Sequence, residues 1–177
     1  LIRIRVIDEA AGEVLASVVS GESDLGVSFM GSMLPEVDFS PMLTDPFVIA
    51  LPRRHALAKR KSVSWKELSS ERLIAVARSS GNRQLLDDAL AKAGVNPSYR
   101  FEVNHIATLL GMVEAGLGLA AVPRLALPAE HRELAGVALK DPAVSRVLGL
   151  ATRHGATLRA PALVFCDHLR MALKGRL

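Results

Sequence analysis

The chain has little of what several classes of protein require. Its 177 residues include one cysteine, Cys166, and aromatic residues make up only 4% of the composition. One cysteine excludes a framework of disulfides within the chain. So few aromatic rings argue against a base-stacking surface for single-stranded nucleic acid. Because no run of 18 apolar residues occurs, the sequence predicts neither a membrane-spanning helix nor a membrane partner.

Motifs of catalysis and of metal binding are also missing from the sequence. The five histidines are scattered, and no pair has the spacing of metal ligands on a helix; they are His55, His105, His131, His154 and His168. We find no nucleophile elbow, no phosphate-binding lysine loop and no complete dinucleotide fingerprint. The sequence therefore predicts no catalytic residue, no cofactor and no metal, and it predicts a protein that is not an enzyme.

The overall composition is that of a folded globular chain. Half of the residues are hydrophobic, 23% are charged and the net charge is +4. One basic cluster occupies residues 53–61. A DNA-binding role for this cluster lacks a recognition helix, so we favour a solvated surface loop there.

The spacing of apolar residues predicts strands and helices in alternation, which indicates an α/β fold with mostly parallel strands. The predicted strands are 1–7, 25–29, 47–51, 73–76, 99–103, 119–122, 137–139 and 147–151. The predicted helical faces are 11–18, 86–93, 106–113 and 161–173. Because the strand at 1–7 has no lead-in, we expect the chain to be a fragment of a longer protein.

Two stretches place a helix that ends at glycine directly before a short apolar strand, at residues 17–27 and 109–123. We interpret them as parts of two α/β lobes with a ligand-binding cleft between them. Ser79, Ser80, Gly81 and Asn82 follow a predicted strand and open a helix, where free backbone N–H groups favour an anion. An ordinary helix cap without a ligand explains the same residues equally well.

Three motifs, in order and at the right spacing, resemble those of the effector-binding, substrate-binding-like domain of LysR-type transcriptional regulators. The first is Gly-x-x-Asp-Leu-Gly-Val at residues 21–27. The second is His-x-Leu-Ala at residues 55–58, which follows a strong strand and has Ala56 where the family usually has proline. The third is the glycine-rich stretch at residues 112–123, which ends in Pro123.

The resemblance implies an α/β fold of two Rossmann-like lobes joined by two crossover segments, like a type II periplasmic binding protein. Lobe I is expected at residues 1–72 plus 145–177, and lobe II at residues 73–144. The resemblance also implies that the N-terminal DNA-binding domain and the first strand and helix of the effector domain are absent from this chain.

By position in the family, a small-molecule effector in the cleft between the lobes would contact Ala10, Ala11, Ser28, Phe29, Met30, Ser79, Ser80, Gly81, Asn82, Asn104, His105 and Ile106. The resemblance implies antiparallel pairing of two such domains, with candidate dimer-interface positions at Glu13, Ser17, Ser20, Leu109, Met112 and Glu114. We expect a homodimer or homotetramer in the cytoplasm that regulates transcription. The expected partners are an effector, for which we favour an organic acid, and DNA, bound only through the absent N-terminal domain.

The sequence leaves two alternative functions open. A stand-alone solute-binding protein of a transport system has the same two-lobe architecture, and would require a secretion signal upstream. A small α/β enzyme would lose turnover when Ser79, Asn82 or His105 is replaced by alanine, whereas a sensor would only bind its effector more weakly.

Overall fold

Helices and strands alternate along the computed structural model, which describes residues 3–29, 34–128 and 130–173. The chain divides into unit 1, which comprises Leu1–Thr44 and Val147–Leu177, and unit 2, Asp45–Arg146. It passes from one unit to the other within two strands, β2 (Val37–Pro52) and β8 (Ser145–Arg153).

This division differs from the predicted lobes, because residues 45–72 belong to unit 2 and not to the first lobe. The reason is backbone pairing: the second half of β2 pairs with β6 (Ala120–Pro123) and β7 (Leu134–Lys140) of unit 2.

Unit 1 contains α1 (Ala11–Ser20), β1 (Gly26–Phe29), the outer parts of β2 and β8, and α4 (Ala160–Leu173). β1 runs antiparallel to β8, with Gly26 opposite Ala151. α1 ends at Gly21, whose φ of 79° lies in the left-handed region that glycine adopts without strain. The predicted helix-to-strand unit at residues 17–27 is therefore present.

The predicted strand at 1–7 is wrong for the residues that are described, because residues 3–10 form no regular secondary structure. Ile4 and Val6 are exposed there. A strand requires a neighbouring backbone to satisfy its N–H and C=O groups, and residues 3–10 pair with no described strand. Alternation of apolar residues cannot show whether a pairing partner exists.

Unit 2 contains the remaining elements: β3 (Ser62–Ser64), β4 (Leu73–Val76), α2 (Gly81–Lys92), β5 (Tyr99–Val103), α3 (Ile106–Glu114), β6 (Ala120–Pro123) and β7 (Leu134–Lys140). β2 lies between β6 and β7 and is antiparallel to both, while β3 is parallel to β7. β4 and β5 form a parallel pair. The backbone N–H of Ile74 donates to the carbonyl oxygen of Leu119 at 2.8 Å, which joins β4 to the residue before β6.

The prediction of mostly parallel strands is wrong, since β2 is antiparallel to both of its neighbours in unit 2 and β1 is antiparallel to β8. Parallel neighbours arise from βαβ crossovers, and β4–α2–β5 is such a unit. β2 instead enters unit 2 from unit 1.

β2 forms the centre of the unit 2 core. Phe47, Ile49 and Leu51 pack into one apolar cluster, and Val48 and Ala50 pack into a second. Because successive side chains of a strand point to opposite faces, this alternation buries both faces of the strand. The apolar run at 47–51 predicted this double burial, and the structure confirms it.

A substitution at Gly118 tests how closely β4 and the segment before β6 approach each other. A Cβ atom at Gly118 would lie 2.5 Å from the carbonyl oxygen of Arg72, which accepts a hydrogen bond from Leu119. We expect Gly118→Ala to lower the free energy of unfolding by about 1–3 kcal/mol, the usual cost of overpacking.

The matched control is Gly111→Ala in α3, where a Cβ atom meets nothing within 4 Å. It should leave stability unchanged or raise it by up to about 1 kcal/mol, because alanine favours a helix interior over glycine. Urea unfolding of both variants measures the difference. Equal stabilities for the two variants would contradict the close approach at Gly118.

Candidate functional site

Two helices of unit 2 begin at the same edge of the β4–β5 pair. α2 starts at Gly81, five residues after the end of β4, and α3 starts at Ile106, three residues after the end of β5. Since β4 and β5 are parallel neighbours, both helix N-termini lie at the carboxyl ends of their strands. This is the edge at which open α/β sheets bind ligands.

The loop residues before α2 leave hydrogen-bonding capacity at this edge. Ser80 is the N-cap of α2, and its side chain makes no capping hydrogen bond to a described residue. Ser79 is exposed, whereas Ser80, Gly81 and Asn82 are half-buried. The first backbone N–H groups of a helix have no partner within the helix, so α2 offers donors here.

The second junction is similar. His105 is the N-cap of α3 and, within the described chain, its side chain makes no capping hydrogen bond. Asn104 and His105 are exposed and Ile106 is half-buried. Ile106 and Asn82 line the same cavity of about 10 Å³, which has room for about one water molecule. The structure thus brings two predicted residues together, but the cavity is too small for an organic molecule.

A buried ion pair, which the sequence analysis did not identify, lies next to this edge. Asp45 is 0% exposed, and its Oδ2 atom accepts hydrogen bonds from Nε and Nη2 of Arg146 at 3.0 and 2.9 Å. Its Oδ1 atom accepts a third from the backbone N–H of Leu125 at 3.0 Å. Nη1 of Arg146 donates to Oδ1 of Asn82 at 2.8 Å. Asp45 and Arg146 are the first and last residues of unit 2, and Arg146 links this pair to Asn82 in the first turn of α2.

Arg83, the next residue of α2, holds the helix against β4 and β5. Its side chain is buried, with Nε donating to Asp87 at 2.6 Å and Nη1 donating to the carbonyl oxygen of Val76 at 3.1 Å. Its guanidinium lies 4.2 Å from the ring centroid of Tyr99. Burial, with the nearby Asp87 carboxylate, raises the pKa of Tyr99 to about 12 despite the opposing Arg83 charge. The contacts of Arg83 hold α2 against β4 and β5, and the Tyr99 hydroxyl stays protonated at neutral pH.

The predicted effector-contacting residues of unit 1 lie at two places. Ala10 and Ala11 are at the start of α1, and Ser28 and Phe29 are the last residues of β1. Ser28 is 3% exposed, and its hydroxyl has no hydrogen-bond partner among the described residues. Met30 lies outside the described residues. A buried hydroxyl without a partner is a costly feature, which makes Ser28 a candidate contact for a ligand.

The candidate dimer positions are not equivalent in this structure. In α1, Glu13 accepts a hydrogen bond from the backbone N–H of Ala10 at 3.1 Å. The Ser17 hydroxyl is buried and bonded to Ser23 at 2.7 Å, and the Ser20 hydroxyl donates to the Ser17 carbonyl oxygen. These three side chains therefore make local contacts at and near α1.

In α3, Met112 is half-buried and Glu114 is exposed. Leu109 is 1% exposed and packs in the unit 2 core, which disfavours a contact of its side chain with another copy. The physical reason is that position 109 shares its helix face with Val113, which is fully buried.

His55, the first residue of the His-x-Leu-Ala motif, has a structural role. Its Nδ1 atom accepts a hydrogen bond from the backbone N–H of Leu57 at 3.3 Å, which caps the 3₁₀ turn Ala56–Lys59. Its Nε2 atom lies 3.7 Å from the carboxylate of Glu71. The basic residues around this turn are exposed.

The titratable groups in the described part of the chain are dispersed. No group of three or more histidine, cysteine, aspartate or glutamate side chains there could hold a metal ion. Cys166 is buried in α4, and burial raises the pKa of its thiol. Within the same described residues, no helix is long and apolar enough to span a bilayer.

Comparison with known proteins agrees with the motifs. The LysR substrate binding domain family matches residues 1–174. The Escherichia coli K12 protein YbhD, an uncharacterised HTH-type transcriptional regulator, is 38% identical over 162 residues, which cover 91% of this chain and 51% of that protein. The chain thus spans about half the length of this curated relative. Because such relatives are transcriptional regulators, the transport-protein alternative is not favoured.

Two solved structures share the fold. The CcmR regulatory domain of Synechocystis PCC6803, in complex with 2-PG, superposes with a TM-score of 0.80 at 20% identity, covering 94% of this chain and 81% of that one. The effector-binding domain of QuiR, in complex with shikimate, gives 0.79 at 19% identity, covering 96% and 80%. These matches confirm the predicted α/β fold of the type II periplasmic-binding-protein class. By its motifs, its fold and the family match over nearly its whole length, the chain belongs to the LysR substrate-binding domain family.

Proposed function

We propose that this chain senses a small organic acid for a transcriptional regulator, and that unit 2 recognises the acid at the N-termini of α2 and α3. The observation that carries the proposal is the pair of adjacent helix N-termini after parallel strands, neither capped by its own N-cap side chain as far as the structure describes it. Helix N-termini favour anions because their N–H groups and their dipole attract negative charge.

Ser79, Ser80, Gly81, Asn82, Asn104, His105 and Ile106 are the contacts that we propose in unit 2. In unit 1 we propose Ser28, together with Ala10, Ala11 and Phe29. All of these interactions are hydrogen bonds and packing contacts, so the chain itself would catalyse no reaction. The QuiR domain holds shikimate, which is in line with a small organic ligand for this fold.

The proposal for the whole protein follows from the relatives, which are HTH-type regulators about twice as long. A DNA-binding segment would read the operator, and the acid would act by binding one conformation of this chain more tightly than another. We propose a cytoplasmic homodimer or homotetramer, with the exposed or half-buried Glu13, Ser20, Met112 and Glu114 as candidate contacts between copies.

A thermal-shift screen tests the proposal. The chain is heated with acetate, pyruvate, succinate, benzoate and shikimate, and in parallel with the neutral acetamide and benzamide. At least one acid should stabilise the chain, by about 2.7 kcal/mol at a concentration 100 times its dissociation constant. The corresponding neutral amide should stabilise it less. Stabilisation by the amides alone, or by none of these compounds, would contradict recognition of an acid.

Ser28→Ala tests the proposed unit 1 contact separately. If the Ser28 hydroxyl bonds the acid, this variant should bind the stabilising acid more weakly than the wild type does. Its own stability should be nearly unchanged, since the hydroxyl has no partner among the described residues. Unchanged affinity would remove Ser28 from the proposed contacts.

A further inference from the structure

The orientation of the Asn82 amide is decided by its neighbour Arg146. A guanidinium has only N–H donors and cannot accept a hydrogen bond. The contact of 2.8 Å from Nη1 of Arg146 therefore requires the amide oxygen of Asn82 to face Arg146. The Nδ2 group, which has two N–H donors, must then point elsewhere, and it has no hydrogen-bond partner in the described parts of the chain.

Arg146 is held in turn by the carboxylate of Asp45. Asp45 accepts two hydrogen bonds from Arg146 and one from the backbone of Leu125, and it is completely buried. Charge-assisted bonds of this kind are short and strong, and the planar guanidinium adds geometric specificity. Asp45 thus holds two of the three guanidinium nitrogens of Arg146, and the third, Nη1, donates to Asn82.

We infer that Asp45 and Arg146 are positioning residues of the effector site: Asp45 holds Arg146, and Arg146 donates to the Asn82 amide oxygen, so that Asn82 presents only hydrogen-bond donors to the effector. This inference rests on the proposed function and deepens it, because it names the chemistry that Asn82 selects. A ligand group that meets Asn82 must be an acceptor, such as a carboxylate or carbonyl oxygen, and a hydroxyl can bind there only by accepting.

The variant Asn82→Asp separates positioning from recognition. An aspartate oxygen still accepts the hydrogen bond from Arg146, and a carboxylate at the start of a helix is favourable, so the chain should keep its melting temperature. The two N–H donors are lost and a negative charge replaces them. We expect acid binding to weaken by roughly tenfold or more, since a hydrogen bond to a charged group is lost.

The probes are benzoate and shikimate, together with whichever acid of the screen stabilises the wild type most. Affinities are measured by calorimetry. The matched control is Asn96→Asp, which makes the same change of charge at an exposed residue of unit 2 and should bind the probes like the wild type. An Asn82→Asp chain that folds and binds the probes as tightly as the wild type would overturn the inference.

A second variant, Arg146→Lys, tests the positioning step. A lysine ammonium is a compact point charge and cannot span Asp45 and Asn82 as the planar fork does. In the wild type, the two side-chain N–H signals of Asn82 should be sharp and well separated in a ¹⁵N spectrum. In Arg146→Lys they should broaden or move to the positions of a free asparagine, and acid binding should weaken. Unchanged amide signals would overturn the inference.

These readouts also separate the inference from the proposed function. If no acid of the screen binds the wild-type chain, the proposed function fails, whereas the Asn82 amide signals still show whether Arg146 holds that side chain. If an acid binds and Asn82→Asp does not weaken it, the proposed function stands and the inference about Asn82 is overturned.

Discussion

Asp45→Ala is expected to lower the free energy of unfolding by about 3–5 kcal/mol, the usual cost of removing one partner of a buried ion pair. The change removes the carboxylate that accepts two hydrogen bonds from the Arg146 side chain, which is 13% exposed. It also leaves the backbone N–H of Leu125 without its acceptor. Because whole domains are stable by only about 5–15 kcal/mol, this loss should be large enough to see in any unfolding experiment.

A double variant shows whether the loss in free energy of unfolding comes from the Arg146 charge, which Asp45 no longer balances. In Asp45→Ala/Arg146→Met no uncompensated charge remains, and apolar replacement of a buried pair is often neutral. Urea unfolding should therefore find the double variant more stable than Asp45→Ala alone. A double variant no more stable than Asp45→Ala would mean that the loss of stability does not come from the charge of Arg146.

The second large effect is expected at Leu109. Leu109→Ala should cost about 2–5 kcal/mol, the range for truncating a buried leucine, because its side chain belongs to the unit 2 core cluster that includes residues of β2, β4 and β6. The matched control is Leu117→Ala, at a leucine that is 41% exposed just after the same helix. It should change stability by no more than about 0.5 kcal/mol.

The stability loss of Leu109→Ala, measured at several protein concentrations, distinguishes a core residue from an interface residue. The loss for a core residue is independent of concentration, whereas the loss for a residue at a contact between copies grows as the protein associates. Unfolding midpoints at several protein concentrations make this comparison. If Leu109→Ala is less stable than the wild type only at concentrations where the wild type associates, Leu109 is a contact between copies.

Local patterns in the sequence were sufficient for the elements around the candidate site. The apolar run at 47–51 indicated a strand buried on both faces, and the structure confirms it. The junctions before α2 and α3 were also predictable, because a strand, a few small polar residues and an amphipathic helix lie next to each other in the chain. The motifs identified the family on the same local basis.

Features that depend on distant residues could not be predicted in this way. Asp45 and Arg146 are 101 residues apart, and neither residue type nor local spacing indicates that they meet. The antiparallel neighbours of β2 and the missing strand at residues 3–7 likewise depend on which backbone lies alongside. At Leu109, helical periodicity indicated the core, and only the family resemblance suggested a contact between copies.

Backbone NMR on the chain of 18.9 kDa tests most directly whether it recognises a small acid at the first turns of α2 and α3, as we propose. The acid that stabilises the chain most is titrated while the amide signals are followed. The largest saturable shifts should occur at the amides of Gly81, Asn82 and Arg83 and at those of Ile106 and Ala107. Saturable shifts centred on amides outside these two first turns, with the amides of Gly81, Asn82, Arg83, Ile106 and Ala107 unmoved, would contradict recognition there.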